Sequence, residues 1–80
     1  MRMPRYRFDL RYDNDPWSED DTKGTICASR EAARREAIVM VAEIAKDEAL
    51  RHRRIAVRVR DGSPEPVVIV TLSVGLEPPD

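Results

Sequence analysis

Two stretches of this chain alternate between apolar and charged residues, and that alternation restricts the fold more than any other feature. The alternation runs through residues 5–12 and returns in residues 54–61. Successive side chains of a β-strand point to opposite faces of a sheet, so each stretch predicts a strand with one apolar face. Residues 67–74 have the composition of a further strand, and residues 25–27 predict a short one that pairs back on the first. The apolar positions of the two alternating strands are Tyr6, Phe8, Leu10, Tyr12, Ile55, Val57 and Val59.

Between these strands the apolar residues take the spacing of a helix. Ser29 can accept a hydrogen bond from a free N–H of the first turn, and Glu31 suits the positive end of the helix dipole. No proline or glycine interrupts the following residues, so we predict a helix that ends near Arg51. Glu48 either marks where the apolar stripe leaves the core or meets an arginine of residues 51–54. The stripe consists of Ala33, Ala37, Ile38, Met40, Val41, Ile44 and Ala45.

One apolar helix stripe and one apolar sheet face can cover each other in two layers. We therefore predict an α+β two-layer sandwich with the order β-β-α-β-β, in which one long helix packs on a mainly antiparallel sheet. Residues 3–75 are expected to form a single domain, and residues 76–80 a flexible tail that cannot continue a sheet ladder. The expected core consists of Tyr6, Phe8, Leu10, Ala37, Val41, Ile44, Ile55, Val57, Val59, Val68, Val70 and Leu72.

Length and composition exclude several classes of protein. With 80 residues, 14 Lys and Arg, and 15 Asp and Glu, the chain has room for one domain and is nearly neutral. Its single cysteine and single histidine are too few for a four-ligand zinc site. The acidic loop of residues 13–24 departs from a calcium loop, since Ser18 and Gly24 stand where glycine and glutamate are needed. We expect neither a metal nor a cofactor.

No motif in the sequence predicts an enzyme. It has no glycine-rich phosphate loop, no serine elbow and no constellation of paired carboxylates. No window is apolar enough for a membrane helix, and the first residues lack the apolar region of a secretory signal. We expect a non-enzymatic, cytoplasmic protein that does not bind membranes. Cys27 is expected to be a small buried residue, and His52 an exposed residue at the end of the helix.

The net charge of −1 conceals a basic surface. Guanidinium groups on the outer sheet face could hold phosphates, but the aromatic residues that stack on single-stranded RNA have the opposite parity here. A second reading is a solvated face that Asp9 and the acidic loop neutralise. A third is a surface for an acidic or protein partner. The arginines of this outer face are Arg5, Arg7, Arg11, Arg54, Arg58 and Arg60.

Two apolar features extend this candidate interaction surface. Val67 and Ile69 fall on the outer face of the last strand, which is then more apolar than a small monomer normally exposes. Trp17 either anchors a protein interface or folds back as a lid over the end of the core, and we favour the lid. We predict a protein-interaction or self-associating module that forms a homodimer. Nucleic-acid binding by the arginine-rich face is the alternative.

Four segments carry a resemblance to known sequences: Met3 to Asp9, Asp20 to Gly24, Glu31 to Ala37 and Ile55 to Gly62. Together they resemble a family of small uncharacterised proteins of rhizobia and their relatives, known as a domain of unknown function. Members typically begin Met-Pro-Arg-Tyr and carry a D-x-x-G step before the helix. The resemblance extends over residues 3–75 and departs at residues 15–18 and 27–28. It implies a bacterial protein with a small α+β fold and transfers no site residues.

Residues 20–37 also bear a fainter likeness to antitoxin domains of the HicB type. Those domains place a strand, an acid-glycine turn and an alanine-rich helix in the same sequence. The likeness implies an antitoxin-like regulator as a further alternative function.

Overall fold

The computed structural model describes residues 4–79 and has one helix packed on one face of a four-stranded antiparallel sheet. The predicted α+β sandwich with the order β-β-α-β-β is confirmed. No helix in these residues is long and apolar enough to cross a membrane. The elements are β1 (Arg5–Tyr12), β2 (Thr25–Ile26), α1 (Arg30–Glu48), β3 (Arg54–Arg60) and β4 (Val68–Ser73).

The strand order is β2-β1-β3-β4, so β1 and β3 form the centre of the sheet and β4 lies at an edge. β1 pairs with β3 so that Asp9 lies opposite Arg58, and β3 pairs with β4 so that Arg58 lies opposite Ile69. Residues opposite one another in antiparallel strands share a face. The register therefore places the predicted apolar residues on the helix side and the arginines on the outer side.

α1 begins at the predicted N-cap, where the Ser29 hydroxyl accepts a hydrogen bond from the Ala32 N–H at 3.1 Å. Ala33 and Ala37 are fully buried, and Val41 is nearly so. These residues are four apart and form one line along the helix, which packs against β3 and β4. Because alanine side chains are small, they allow the helix to lie close to the sheet.

Two predictions about the helix are wrong in detail. α1 ends at Glu48 rather than near Arg51, because the Arg51 N–H bonds at 3.0 Å to the Glu48 carbonyl only three residues back and residues 49–51 form a turn. Ile38, which we assigned to the buried stripe, is 45% exposed. It lies about 100° around the helix from the line of buried alanines, outside the narrow contact with the sheet.

The core lies between the sheet and the line of buried alanines. Leu10, Ile44 and the three inward residues of β4, which we predicted to be core, are only partly buried. β4 is at the edge of the sheet, so its side chains have neighbours on one side only. Cys27 is buried as predicted, and burial, followed by the nearby charge of Glu36, raises the pKa of its thiol. The buried cluster comprises Tyr6, Phe8, Cys27, Ala33, Ala37, Val41, Ile55, Val57 and Val59.

A side-chain carboxylate completes the edge of β1 where β2 is too short to pair. One Asp21 oxygen accepts from the Phe8 N–H at 3.0 Å and the other from the Gly24 N–H at 2.8 Å. Gly24 has φ +73°, and a Cβ there would lie 2.8 Å from the Tyr6 carbonyl oxygen. The D-x-x-G step is thus a turn in which aspartate supplies the acceptor and glycine allows the close approach.

We expect Gly24→Ala to lower the free energy of unfolding by at least about 2 kcal/mol, since it adds a clash to the cost of a left-handed conformation. Gly62 has φ +95° and open space around it, so Gly62→Ala tests the conformational cost alone and should lose about 1 kcal/mol. Gly75→Ala faces neither cost and should stay within about 0.5 kcal/mol. Urea unfolding followed by circular dichroism measures all three. Equal losses for Gly24→Ala and Gly62→Ala would show that the contact with Tyr6 is unimportant.

Candidate interaction surface

A buried carboxylate lies at the centre of the outer sheet face. Asp9 is fully buried, although it alternates with the arginines of β1. Arg60 donates from Nε and Nη2 to its two oxygens at 2.6 and 2.9 Å, and Arg58 donates from Nε at 2.8 Å. These charge-assisted bonds satisfy the carboxylate and join β1 to β3 on the side away from the helix.

The ionisation of Asp9 depends on these two arginines. Burial disfavours the charged form, but the hydrogen bonds from Arg60 and Arg58 outweigh it, so the pKa of Asp9 lies below its ordinary value of 3.8. The hydrogen bond to Asp9 in turn raises the pKa of Arg60. The sequence pattern suggested only partial neutralisation of a solvated face by Asp9. The structure instead makes this residue the centre of a buried ion cluster.

Trp17 lies on the outer face beside this cluster. The Arg11 and Arg58 guanidinium carbons lie 4.2 and 4.8 Å from its ring centroid, as in cation–π contacts. The predicted lid over the end of the core is therefore wrong, because the indole lies on the face opposite the helix. The acidic loop returns antiparallel to β1, and Ser18 pairs with Leu10. This pairing puts Trp17 opposite Arg11 on the outer face.

The six arginines do not form one free basic surface. Arg58 also pairs with Glu19 at 3.0 Å. Arg60 pairs with Asp9 of β1, and Arg11 stacks on Trp17 of the acidic loop, so all three arginines have partners within the chain. Arg5 donates to the Lys23 carbonyl at 2.7 Å. Arg7 and Arg54 are exposed. The acidic loop thus folds onto the basic face and neutralises its centre.

The edge of β4 is the other exposed part of this face. Ile69 is 46% exposed, and Thr71 and Ser73 are exposed beside it. The prediction that Val67 lies on the outer face is wrong: Val67 is half-buried and packs against the core cluster, because its N–H donates to the Val59 carbonyl at 2.8 Å beside the Val59–Val68 pair. Within residues 4–79 no strand pairs with the free side of β4. Backbone donors and acceptors along this edge are therefore open to another chain.

A second cluster joins the start of β3 to the end of β1. Asp13 has φ 54°, and its carboxylate accepts from the Arg53 and Arg54 N–H groups at 2.9 and 3.2 Å. Its other oxygen lies 2.8 Å from His52 Nδ1, and the imidazole stacks on Tyr12 at 4.3 Å between centroids. The hydrogen bond from His52, followed by those from the backbone, lowers the pKa of Asp13 against the effect of burial.

His52 is therefore half-buried and held on both sides, whereas we predicted an exposed residue. Its Nε2 lies 3.6 Å from Glu48, whose carboxylate also lies 3.9 Å from Arg51. The Glu48 side chain therefore lies outside the apolar core, beside His52 and Arg51. In the described part of the chain, no three His, Cys, Asp or Glu side chains are grouped so that they could hold a metal ion.

The strand pattern, the D-x-x-G turn and the single helix define a small α+β domain of a family without an assigned function. The chain belongs to that family, described as Domain of unknown function (DUF6894), whose model matches residues 5–73. The resemblance expected from the sequence is thereby confirmed. Comparison with curated proteins and with solved structures finds no significant match.

We expect Asp9→Asn to lower the free energy of unfolding by about 2–4 kcal/mol at neutral pH, because the amide leaves two arginines without their anion. The folded-state pKa lies below the ordinary value, so the carboxylate stabilises the fold above about pH 4 and stops doing so as the pH falls through the folded-state pKa. The difference between wild type and variant should therefore narrow in acid. Urea unfolding at a series of pH values measures it.

Two comparisons make this pH test specific. Asp47→Asn makes the same chemical change on the exposed side of α1 and should stay within about 0.5 kcal/mol. Hydrogen bonds from Ser63 lower the pKa of Asp61 to about 2. The contribution of Asp61 to the pH dependence of stability is equal in wild type and Asp9→Asn, so it cancels in the difference. A difference between wild type and Asp9→Asn that stays constant in acid would contradict the assigned ion cluster.

Proposed function

We propose that this protein is a protein-interaction module that binds an extended strand of its partner along the free edge of β4. The observation that carries the proposal is the edge itself. It spans Val68–Ser73 at the border of the sheet, and residues 67–74 contain no charge and no proline. Addition of a strand to an exposed sheet edge is a recurrent way for domains to bind peptides.

The register identifies the backbone groups that a partner would meet. Val74 N–H donates to the Arg53 carbonyl at 2.8 Å, so even-numbered residues of β4 form the bonds to β3. Alternate residues of an antiparallel strand direct their N–H and C=O groups to the other side. Ile69, Thr71 and Ser73 therefore present their backbone groups at the free edge, and their side chains on the outer face.

The composition of this edge supports binding rather than protection. Soluble proteins usually protect an edge strand with charged residues, proline or a bulge, because a bare edge pairs with other chains. On the opposite side of the sheet, the two-residue β2 and the Asp21 carboxylate cover β1. The β4 edge is the longer of the two, since β4 has six residues and exposes Ile69, whereas β2 has two residues and exposes Ile26.

Nucleic-acid binding has weaker support. Phosphate contacts need free cations, and Arg11, Arg58 and Arg60 are engaged with Trp17, Glu19 and Asp9. The antitoxin-like alternative rests on the sequence likeness alone. The absence of enzymatic activity and the cytoplasmic location stay predictions.

Selection from a display library of ten-residue peptides tests the proposed function. We expect peptides of β-branched and apolar residues to be selected, and their binding to fall by at least about tenfold in Thr71→Lys, where a charge enters the edge. Thr22→Lys makes the same change in the exposed acidic loop and should bind them normally. Peptides that bind all three proteins equally would place the interaction elsewhere and overturn the proposal.

Anisotropy with labelled single-stranded RNA and DNA tests the arginine-rich face. At about 50 mM salt, where phosphate contacts are strongest, we expect no saturable binding at micromolar protein. Saturable binding that falls steeply with salt and is lost in Arg7→Ala with Arg54→Ala would favour the nucleic-acid function instead. Ala42→Lys, on the exposed side of the helix, is a control for a general effect of charge.

A further inference from the structure

We infer that the strand bound at the β4 edge is β4 of a second copy of this chain, an inference that rests on the proposed function. Two copies related by a two-fold axis at Thr71 would pair their β4 strands in antiparallel orientation. The two four-stranded sheets would then form one continuous sheet with both helices on the same side. Such an interface is isologous, so each residue must suit its counterpart in the other copy.

The β4 edge is complementary to the β4 edge of a second copy on both faces of the sheet. Thr71 is the middle one of the three residues that direct backbone groups outward, so centring on it allows each of them to find a partner. Ile69 of one copy then lies opposite Ser73 of the other, and Thr71 lies opposite itself. On the helix side, partly buried Val70 lies opposite Leu72 of the second copy. No charge on residues 67–74 opposes this approach.

The ends of the edge are complementary in charge. The turn of residues 61–66 precedes β4 and carries exposed Glu65, together with Asp61, which already pairs with Arg30 at 3.3 Å. The corner beside the end of β4 carries exposed Arg53 and Arg54, and the only acid that follows β4 in residues 74–79 is Glu77. Antiparallel pairing puts the beginning of one β4 beside the end of the other. The two-fold axis therefore brings the acidic turn of each copy to the basic corner of its partner, twice in the dimer.

An apolar surface at the same corner fits the partner's turn. Leu50 and Leu76 are almost fully exposed, and they line an open cavity of about 560 Å³ between the helix end and residues 74–76. Arg51 and Arg53 lie in the same lining. The acidic turn places Pro64 and Pro66 on either side of Glu65, so it offers apolar and acidic groups to an apolar and basic surface.

Other occupants suit the edge less well. Residues 74–79 follow β4 directly, and after a reversal of direction too few of them remain to pair along its six residues. A charged peptide finds no opposite charge on β4 itself. An uncharged strand flanked by one acidic and one basic end is what the surface requires, and the chain carries such a strand in β4.

The experiment uses charge reversal at the proposed two-fold axis. By light scattering at micromolar concentration, we expect wild type to have twice the 9.2 kDa mass of one chain. Thr71→Lys and Thr71→Glu each place like charges opposite one another and should weaken association by at least about tenfold. An equimolar mixture of the two variants should recover the dimer, because the opposite charges then meet. Thr22→Lys and Thr22→Glu are the matched controls and should stay dimeric.

Each outcome supports or overturns a stated part of the inference. Recovery in the mixture cannot come from misfolding of either variant, so it would establish the second copy as the occupant. A monomeric wild type would overturn the second copy, while peptides that bind wild type and not Thr71→Lys would still support the proposed function. A dimer that both Thr71 variants leave intact would place the interface elsewhere and overturn the inference.

Discussion

The ion cluster around Asp9 is the contact on which the outer half of this molecule depends. A fully buried carboxylate is costly unless its oxygens are paired, and here Arg58 and Arg60 pair them from the neighbouring strand. Arg58 also reaches Glu19 and the Trp17 ring, so the same side chain fastens the acidic loop to the sheet. Three of the six arginines that the sequence suggested for a ligand, Arg5, Arg11 and Arg58, contact the protein's own acidic loop instead.

The consequence is a sheet with two different edges. Beside β1, the returning loop and the Asp21 carboxylate satisfy backbone groups that a two-residue strand cannot reach. Beside β4 there is no such loop within residues 4–79, and the strand is uncharged. In a domain of 80 residues, burial of apolar surface is limited, and Val68, Val70 and Leu72 remain only half-covered at this edge. Association along β4 would bury what the single chain leaves open.

The main features of the fold could be predicted because they arise from neighbours close in sequence. Alternation in β1 and β3 identified the two sheet faces, and Ser29 identified the start of the helix. The exposure of Ile38 could not be predicted, since the width of the contact between helix and sheet decides it. The parity of the arginines and Ile69 along their strands predicted that they lie on the candidate surface. It did not predict which of the arginines pair with acidic side chains.

What the sequence by itself determined is the class of fold, the face to which each strand residue points and the absence of charge on β4. Tertiary structure alone decided which charges meet. Asp9 and Arg60 are 51 residues apart, and Asp13 and His52 are 39 apart, so no local pattern links them. Trp17 lies on the outer face because its loop pairs with β1 at Leu10. The physical reason is that periodicity depends on the geometry of one segment, whereas ion pairing depends on where several segments are brought together.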